Sequence, residues 1–349
     1  MRVVVLGATG NIGYSAVSAL SGDPDVTEIV GVARRLPDWS PDRTRFVAAD
    51  VTRDDLTPHL QDADVAMLLS WSFQPTRDPV STWRVNVLGT IRALEAAAEA
   101  GVGAVVYVSS VGAYSPGAGR TVDESWPTHS LPTASYGREK SYLERYLDAY
   151  ELRHPHIRVA RLRPSFVFQR ASGSEQRRIF AGPLLPAPLM RRGRLPVVPV
   201  PSGLKFQAVH SDDVGEALRL LATRDARGAY NVAGDPIIDA AALGDLMGAK
   251  PVEVSHTPAI LALGVAARLR LVPADDGLLR LFLSLPTMDT SRIREELGWS
   301  PRVTGVAALR EALDGMAEGA GAPTAPLQPG RAVGAPERAT AAASTSTKE

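Results

Sequence analysis

The chain has 349 residues and no cysteine. Disulfides, thiolate nucleophiles and cysteine metal sites are therefore excluded, and the composition fits a reducing cytoplasm. Charge of either sign is not in excess either. The 38 Lys and Arg balance 38 Asp and Glu, so no global field points toward nucleic acid or a membrane surface. No apolar run is long enough to span a bilayer; the longest, Pro258 to Ala267, is closed by Arg268 and Arg270. The first residues lack a charged segment followed by an apolar one, so the expectation is no signal peptide and a cytoplasmic location. His154 and His156 have no third ligand nearby, and no metal is expected. What remains is a chain with 45% apolar residues, enough for one large α/β domain with a smaller appended lobe.

The most informative stretch is Met1 to Ser15, MRVVVLGATGNIGYS. Val3, Val4, Val5 and Leu6 form the continuous apolar run of a strand buried on both faces. Gly7, Gly10 and Gly13 follow at intervals of three, and the pattern from Ile12 onward becomes helical through Ala16, Val17, Ala19 and Leu20. In this strand–turn–helix context each glycine has a task. Gly7 allows a tight turn, Gly10 lets backbone approach a pyrophosphate, and Gly13 lets helix pack closely on strand. The free N–H groups of Asn11, Ile12 and Gly13 then face the anion.

Further strands are expected at Glu28 to Ala33, Arg43 to Ala48, Ala63 to Leu69, Ala104 to Val108, Ile157 to Leu162 and Ala229 to Val232. A strand over Phe206 to His210 is also expected. Helices are expected over Asp54 to Leu60, Pro79 to Ala100, Ser135 to Arg153 and Ser211 to Ala222. Alternation of strands and helices without hairpin signals predicts a doubly wound parallel sheet, the Rossmann fold. The expected organisation is a dinucleotide-binding core at 1–168, with returning segments at about 204–235, and a mainly helical substrate lobe at 169–318. Within the lobe, Gln169 to Pro201 is irregular and rich in Pro, Gly and Arg. Helices follow near Asp239 to Met247, Pro258 to Leu269, Asp276 to Leu285 and Val306 to Ala317. From Gly319 the chain is Ala, Gly, Pro, Thr and Ser, so 319–349 reads as a disordered tail.

Tyr136 and Lys140 lie four apart at the start of the expected helix, on one face. A phenol of pKa about 10 is a poor acid–base group unless a neighbouring ammonium and a positive nicotinamide ring favour the tyrosinate. Ser110 ends the Ala104 to Val108 strand region, where ligand crevices open in such sheets, and its hydroxyl could bond a substrate carbonyl or alcohol. Tyr136 and Lys140 follow that serine in order.

These features, with GATGNIG at 7–13, Asp50-Val51, NVLGT at 86–90, VYVSSVGAY at 106–114, YGREK at 136–140, RLRPSFVF at 161–168, VHSDDV at 209–214, YNVAG at 230–234 and LGWSPRV at 297–303, carry a family resemblance. The chain resembles the extended short-chain dehydrogenase/reductases, the NAD-dependent epimerase/dehydratase family, over about residues 1–315. The resemblance implies that Tyr136 is the acid–base, that Lys140 holds the nicotinamide ribose and tunes Tyr136, and that Ser110 polarises the substrate oxygen. It also implies that Asp50 and Val51 cradle adenine, that Leu69 and Ser70 line the cofactor, that Asn86 supports the cofactor side, and that Arg163 and Pro164 lie beside the nicotinamide. His210 and Asp213 read as structural hydrogen bonders. A homodimer through the helices at Pro79 to Ala100 and Ser135 to Arg153 is a further implication.

An acidic residue ending the second strand would bind a ribose 2′-hydroxyl, and this chain has Ala33-Arg34-Arg35 there instead. Arg34 suits a 2′-phosphate, so NADP(H) is the preferred cofactor, with NAD(H) as the alternative. Two departures from the family pattern bear on the substrate. Gln169-Arg170 replaces the usual Gly-Pro, and no Asp-Glu pair follows Ser110 as in sugar dehydratases. Trp71, Phe73 and Trp126 lie in loops expected near the nicotinamide and suit an apolar or ring-bearing small molecule. The leading expectation is an oxidoreductase moving hydride between NADP(H) and a carbonyl or secondary alcohol. A nucleotide-sugar epimerase or dehydratase with recycled cofactor is the second reading, for which Arg177, Arg178, Arg191, Arg192 and Arg194 could hold a diphosphate. A non-catalytic NADP-sensing protein is the third.

Overall fold

Successive residues of the first strand, Arg2–Leu6 (β1), are buried on opposite faces of one sheet. Val3 and Val5 join one apolar cluster, Val4 and Leu6 the other. A sheet buried on both sides needs a helical layer over each, as the continuous apolar pattern requires. The computed structural model of the chain describes residues 1–73, 78–181, 187–255 and 276–329.

The strands after β1 are β2 (Glu28–Ala33), β3 (Thr44–Ala48), β4 (Val65–Leu68), β5 (Ala104–Val108), β6 (Thr121–Val122), β7 (Arg158–Pro164), β8 (Phe166–Phe168), β9 (Val197–Pro201), β10 (Ala208–His210), β11 (Gly228–Val232), β12 (Lys250–Val254) and β13 (Thr287–Met288). The central sheet is parallel and seven-stranded, in the order β11-β7-β5-β4-β1-β2-β3. Its direction of growth reverses between β1 and β4, and ligand crevices open beyond the carboxyl ends of strands at such a switch point. The doubly wound Rossmann expectation is met. Three short parallel pairs, β8 with β10, β9 with β12 and β6 with β13, lie outside the sheet. The β9–β12 pair was not foreseen within the irregular stretch.

On one face, helix α1 (Asn11–Ser21) packs with Val214, Leu218 and Leu221 of a later helix, Ser211–Thr223. The intervening helices, in chain order, are α2 (Thr57–Leu60), α3 (Pro79–Trp83), α4 (Gly89–Glu99), α5 (Ser135–Arg153) and α6 (Gly173–Gln176), which makes Ser211–Thr223 α7. The opposite face is covered by α4 and α5, through Ala93, Leu94, Leu143 and Leu147. The helix expected over Asp54 to Leu60 is only the four-residue α2, because Asp50 and Asp55 instead cap turns at Thr52 and Thr57. The helix expected over Pro79 to Ala100 is interrupted by a π-helical turn at Arg84–Leu88. His210 and Asp213 serve as expected: the His210 ring contacts Glu311, and the Asp213 carboxylate accepts from the amides of Arg302 and Val303.

The other described helices are α6, α8 (Ala240–Met247), Asp276–Ser284, Ser291–Leu297 and Gly305–Glu318, and Ile293 of Ser291–Leu297 packs into the same apolar cluster as α1 and α7. The helix expected over Pro258 to Leu269 lies outside the described residues. The tail expected from 319 does not begin there. Residues 319–329 pack against the turn after β1: Thr324 Oγ1 donates to the Thr9 carbonyl at 2.8 Å, and Leu327 is fully buried. Composition missed this because a buried leucine and three long-range hydrogen bonds, the others from Arg178 to the Pro326 carbonyl and from the Ser174 amide to the Ala320 carbonyl, suffice to hold a short segment. Residues 330–349 lie outside the described residues. Among the described residues no helix is long and apolar enough to cross a membrane. Leu327→Ala removes a fully buried side chain and is expected to cost about 2–5 kcal/mol. Thermal denaturation checks this, and an unchanged midpoint would show that the segment contributes nothing.

Candidate active site

Strand ends bring the predicted residues together. β1, β4, β5 and β7 deliver Gly7, Leu69, Ser110 and Pro164 to one cleft, also lined by Gly10, Asn11, Ile12, Gly13, Tyr136 and Lys140. Gly7 has φ +89°, a conformation that favours glycine, and a Cβ there would sit 2.6 Å from the Ser70 amide nitrogen. A Cβ on Gly10 would meet only the Gly7 carbonyl, at 3.7 Å, so this face of the turn is open to a close ligand. No side chain caps the α1 N-terminus. Its first amides and open glycine face fit the pyrophosphate of a dinucleotide.

Ser110 Oγ accepts from the Gly112 amide at 3.0 Å, folding the chain into a short 3-10 turn at Val111–Ala113. A Cβ on Gly112 would approach Tyr136 Cε1 to 2.7 Å, so glycine there lets the Tyr136 ring reach the Ser110 hydroxyl, to which it is hydrogen-bonded. Trp71 and Phe73 stand edge-on to that ring, at 5.8 and 4.9 Å between centroids. Trp126 does not line the cleft among the described residues: its indole N–H donates to the Ser115 carbonyl, and it packs, as Tyr136 does, against the apolar cluster of Val111, Tyr114 and Leu285.

Lys140 is buried. Its Nζ donates to the Val108 carbonyl at 2.8 Å and lies 3.3 Å from the centroid of Trp71. Burial holds the ammonium well below its usual pKa, against the charges of Glu139 and Glu144. Burial also pushes the Tyr136 hydroxyl up to about 12; the Ser110 hydrogen bond opposes this and the Glu139 charge adds to it. The expected lowering of Tyr136 by Lys140 is therefore not the dominant effect in this structure. Burial is, while the ammonium faces Val108 and Trp71.

Asn86 sits in the π-helical turn, a distortion often found at functional sites. Its carbonyl oxygen accepts from the Ser72 amide at 2.7 Å, and its amide donates to Glu139 Oε2 at 2.7 Å. It thus ties the Trp71-bearing loop to α5 beside Lys140. Ser70, Arg34, Asp50 and Val51 do not line the cleft among the described residues. Arg34 follows the end of β2, and its charge acts on Asp50. Burial raises the Asp50 carboxyl, but Thr52 hydrogen bonds, Arg34 and Arg53 together leave it below its usual value.

Arg163 departs from expectation. It is the penultimate residue of β7 and turns away from the cleft into a buried polar network, donating to both Glu144 oxygens at 2.9 Å and to Tyr114 at 3.0 Å. Ser109, one residue before Ser110, donates to Glu144 Oε1 at 2.6 Å. Gln169, at the position of the family's glycine, donates to the Asn11 side-chain oxygen at 2.7 Å and to its carbonyl at 3.1 Å. Glu144, Glu175 and Gln176 were not foreseen. Only the i, i+4 spacing of Lys140 and Glu144 on α5 offered a hint. Among the described residues no cluster of His, Asp or Glu could hold a metal ion.

Comparison with known proteins adds to this geometry. The NAD dependent epimerase/dehydratase family matches residues 3–233. An uncharacterized protein of Mycobacterium tuberculosis is 28% identical over 312 residues, covering 86% of this chain and 28% of its own length. The chain thus spans little more than a quarter of that relative. A UDP-glucose 4-epimerase of Mycolicibacterium smegmatis is 32% identical over 176 residues, 46% of this chain and 56% of the enzyme. Among solved structures, MoeE5 in complex with UDP-glucuronic acid and NAD is 25% identical, with a TM-score of 0.66 over 91% of this chain and 98% of that one. With its glycine turn, switch-point cleft and Ser110–Tyr136–Lys140 arrangement, the chain belongs to the NAD dependent epimerase/dehydratase family.

Proposed function

We propose that this protein is an NAD(P)-dependent oxidoreductase that moves hydride between NADP(H) and a carbonyl or secondary alcohol. The observation that carries this reading is the meeting of Ser110, Tyr136 and Lys140 in the cleft that also contains the glycine turn. Bound nicotinamide supplies the hydride chemistry. Ser110 orients the substrate oxygen, and Tyr136 gives or takes its proton. Lys140 holds the ribose, Asn86 fixes the loop above it, and Trp71 and Phe73 exclude water. On the adenine side, Asp50, Val51, Leu69 and Ser70 border the cofactor. A cytoplasmic homodimer, with Val80, Leu88 and Tyr142 exposed on the helices that would pair, belongs to the same reading.

Arg34 makes NADP(H) the preferred form. NADPH is expected to bind about tenfold or more tightly than NADH, as one charge-assisted phosphate contact allows. Fluorescence titration of both cofactors, repeated on Arg34→Ala, checks this. Loss of the difference in the variant supports the assignment, and tighter NADH binding by the unaltered protein contradicts it.

Nucleotide-sugar epimerisation or dehydration with recycled cofactor is a second reading, favoured by the full-length likeness to MoeE5. Net consumption of NADPH separates the two.

A further inference from the structure

We propose that Glu175, Gln176 and Ser165 are the substrate-recognition groups of the cleft, and that they select an uncharged, partly apolar carbonyl or alcohol bearing hydroxyl or amine donors over a nucleoside diphosphate sugar. The proposal rests on the hydride-transfer reading above and names its substrate class. All three residues line the cleft that holds Ser110 and Tyr136. Ser165 Oγ and Gln176 Oε1 are buried and have no hydrogen-bond partner among the described residues. Gln176 is already anchored through its amide, which donates to the Val167 carbonyl at 3.2 Å, so the oxygen is what it leaves for a ligand. A buried acceptor without a donor costs about 1–3 kcal/mol, and a substrate hydroxyl or amine would remove that cost.

Charge decides against a diphosphate. Among the described lining residues Lys140 is the one cation and Glu175 the one acid, and the Lys140 ammonium already faces Val108 and Trp71. Arg177, Arg178, Arg191, Arg192 and Arg194 are not in the lining. Arg178 Nη2 donates to the Pro326 carbonyl at 2.7 Å, its Nη1 is buried without a partner among the described residues and its charge acts on Glu175, while Arg191, Arg192 and Arg194 are exposed. A diphosphate would therefore bring its negative charge to Glu175, whose guanidinium neighbour, Arg178, already balances that carboxylate and is held by the Pro326 carbonyl. The remaining wall is apolar, with Phe166, Ile179, Leu281 and Leu285.

Burial pushes the Glu175 carboxyl up to about 7, with the Arg178 charge opposing. Tyr136 and Lys140 are the other titratable groups of the described lining. Glu175 is thus a carboxylate acceptor above that pH and a neutral acid below it.

The test uses the full chain saturated with NADPH and two probes, 2-hydroxyacetophenone and UDP-glucose. Calorimetry reads binding, and NADPH absorbance reads turnover. At about pH 9, where Glu175 is ionised, the neutral probe is expected to bind and be reduced, while UDP-glucose gives no saturable heat. Glu175→Gln is expected to raise KM for 2-hydroxyacetophenone about tenfold while changing kcat less than about threefold. In the unaltered protein KM rises as pH falls through about 7, and in Glu175→Gln it does not. Saturable binding of UDP-glucose, failure of 2-hydroxyacetophenone to bind, or a KM indifferent to Glu175→Gln overturns the proposal. NADPH affinity is read in the same samples. Substrate selection that fails while NADPH binds and a carbonyl is reduced sinks only this inference; a protein that binds no NADPH sinks the hydride-transfer reading itself.

Discussion

Tyr136→Phe is expected to lower turnover about 10²–10⁴-fold, the usual contribution of a positioned acid–base group, while NADPH affinity stays within about twofold. The substitution removes one oxygen from a ring held by Trp71, Phe73 and the space above Gly112, so packing survives. What disappears is the hydroxyl bonded to Ser110. Because burial holds that hydroxyl at about 12, it is protonated at neutral pH and is set to donate to a carbonyl. Reduction is therefore the direction favoured near neutrality, and oxidation of an alcohol should accelerate toward alkaline pH as the tyrosinate becomes accessible. Steady-state rates for both directions across pH, with cofactor binding measured in parallel, check the assignment. Residual turnover equal to that of the unaltered protein would remove Tyr136 from the chemistry.

Glu144→Ala should destabilise the fold by about 3–5 kcal/mol, the range for breaking a buried ion pair by deleting one partner. Glu144 is fully buried beneath β5 and β7, with Ser109, Arg161 and Arg163 as partners. Burial raises its carboxyl, but the bonds and charge of Arg163, helped by Ser109 and Arg161, outweigh this and hold it at about 2. After the substitution Arg161 keeps Asp148 and Glu151. Arg163 keeps neutral hydrogen-bond partners, Tyr114 and the Glu124 carbonyl, with only the Glu124 charge nearby, and bears most of the loss. A carboxyl depressed in the folded state stabilises fully above its unfolded value of about 4.3, and that contribution fades as pH falls toward 2. The shift corresponds to roughly 3 kcal/mol. Urea denaturation from pH 7 downward should show the unaltered protein losing stability over this window and Glu144→Ala losing less. A midpoint changed no more than by a surface substitution, about 0.5 kcal/mol, would contradict the role given to this network.

Local patterns explain what could be read without coordinates. The β1–turn–α1 unit is contiguous, so its pattern could be read directly, whereas Tyr136 and Lys140, one helical turn apart, took their meaning from the resemblance carried by the motifs around them. Ser110 was legible because strand ends in a parallel sheet converge on one edge. The unforeseen features join residues distant along the chain. Thr324 meets Thr9 across 315 positions and Gln169 meets Asn11 across 158, and neither leaves a periodic trace. Arg163 was misplaced for a related reason. Alternation fixes the face a strand residue takes, but the network that claimed its guanidinium comes from α5 and the Glu124 loop. Trp71 was expected near the nicotinamide, yet its seat on the Lys140 ammonium depends on how Asn86 fastens the loop. Composition made 319–329 look structureless because burial of a single leucine is invisible in an average.

The most direct test of the central claim follows absorbance at the reduced-nicotinamide band, with purified protein, NADPH and a panel of neutral ketones, hydroxyketones and nucleotide sugars. The hydride-transfer account predicts a fall in absorbance matched mole for mole by alcohol formed from a neutral carbonyl, and no fall with Tyr136→Phe. Conversion of a nucleotide sugar at constant absorbance would contradict it and establish the epimerase or dehydratase reading instead.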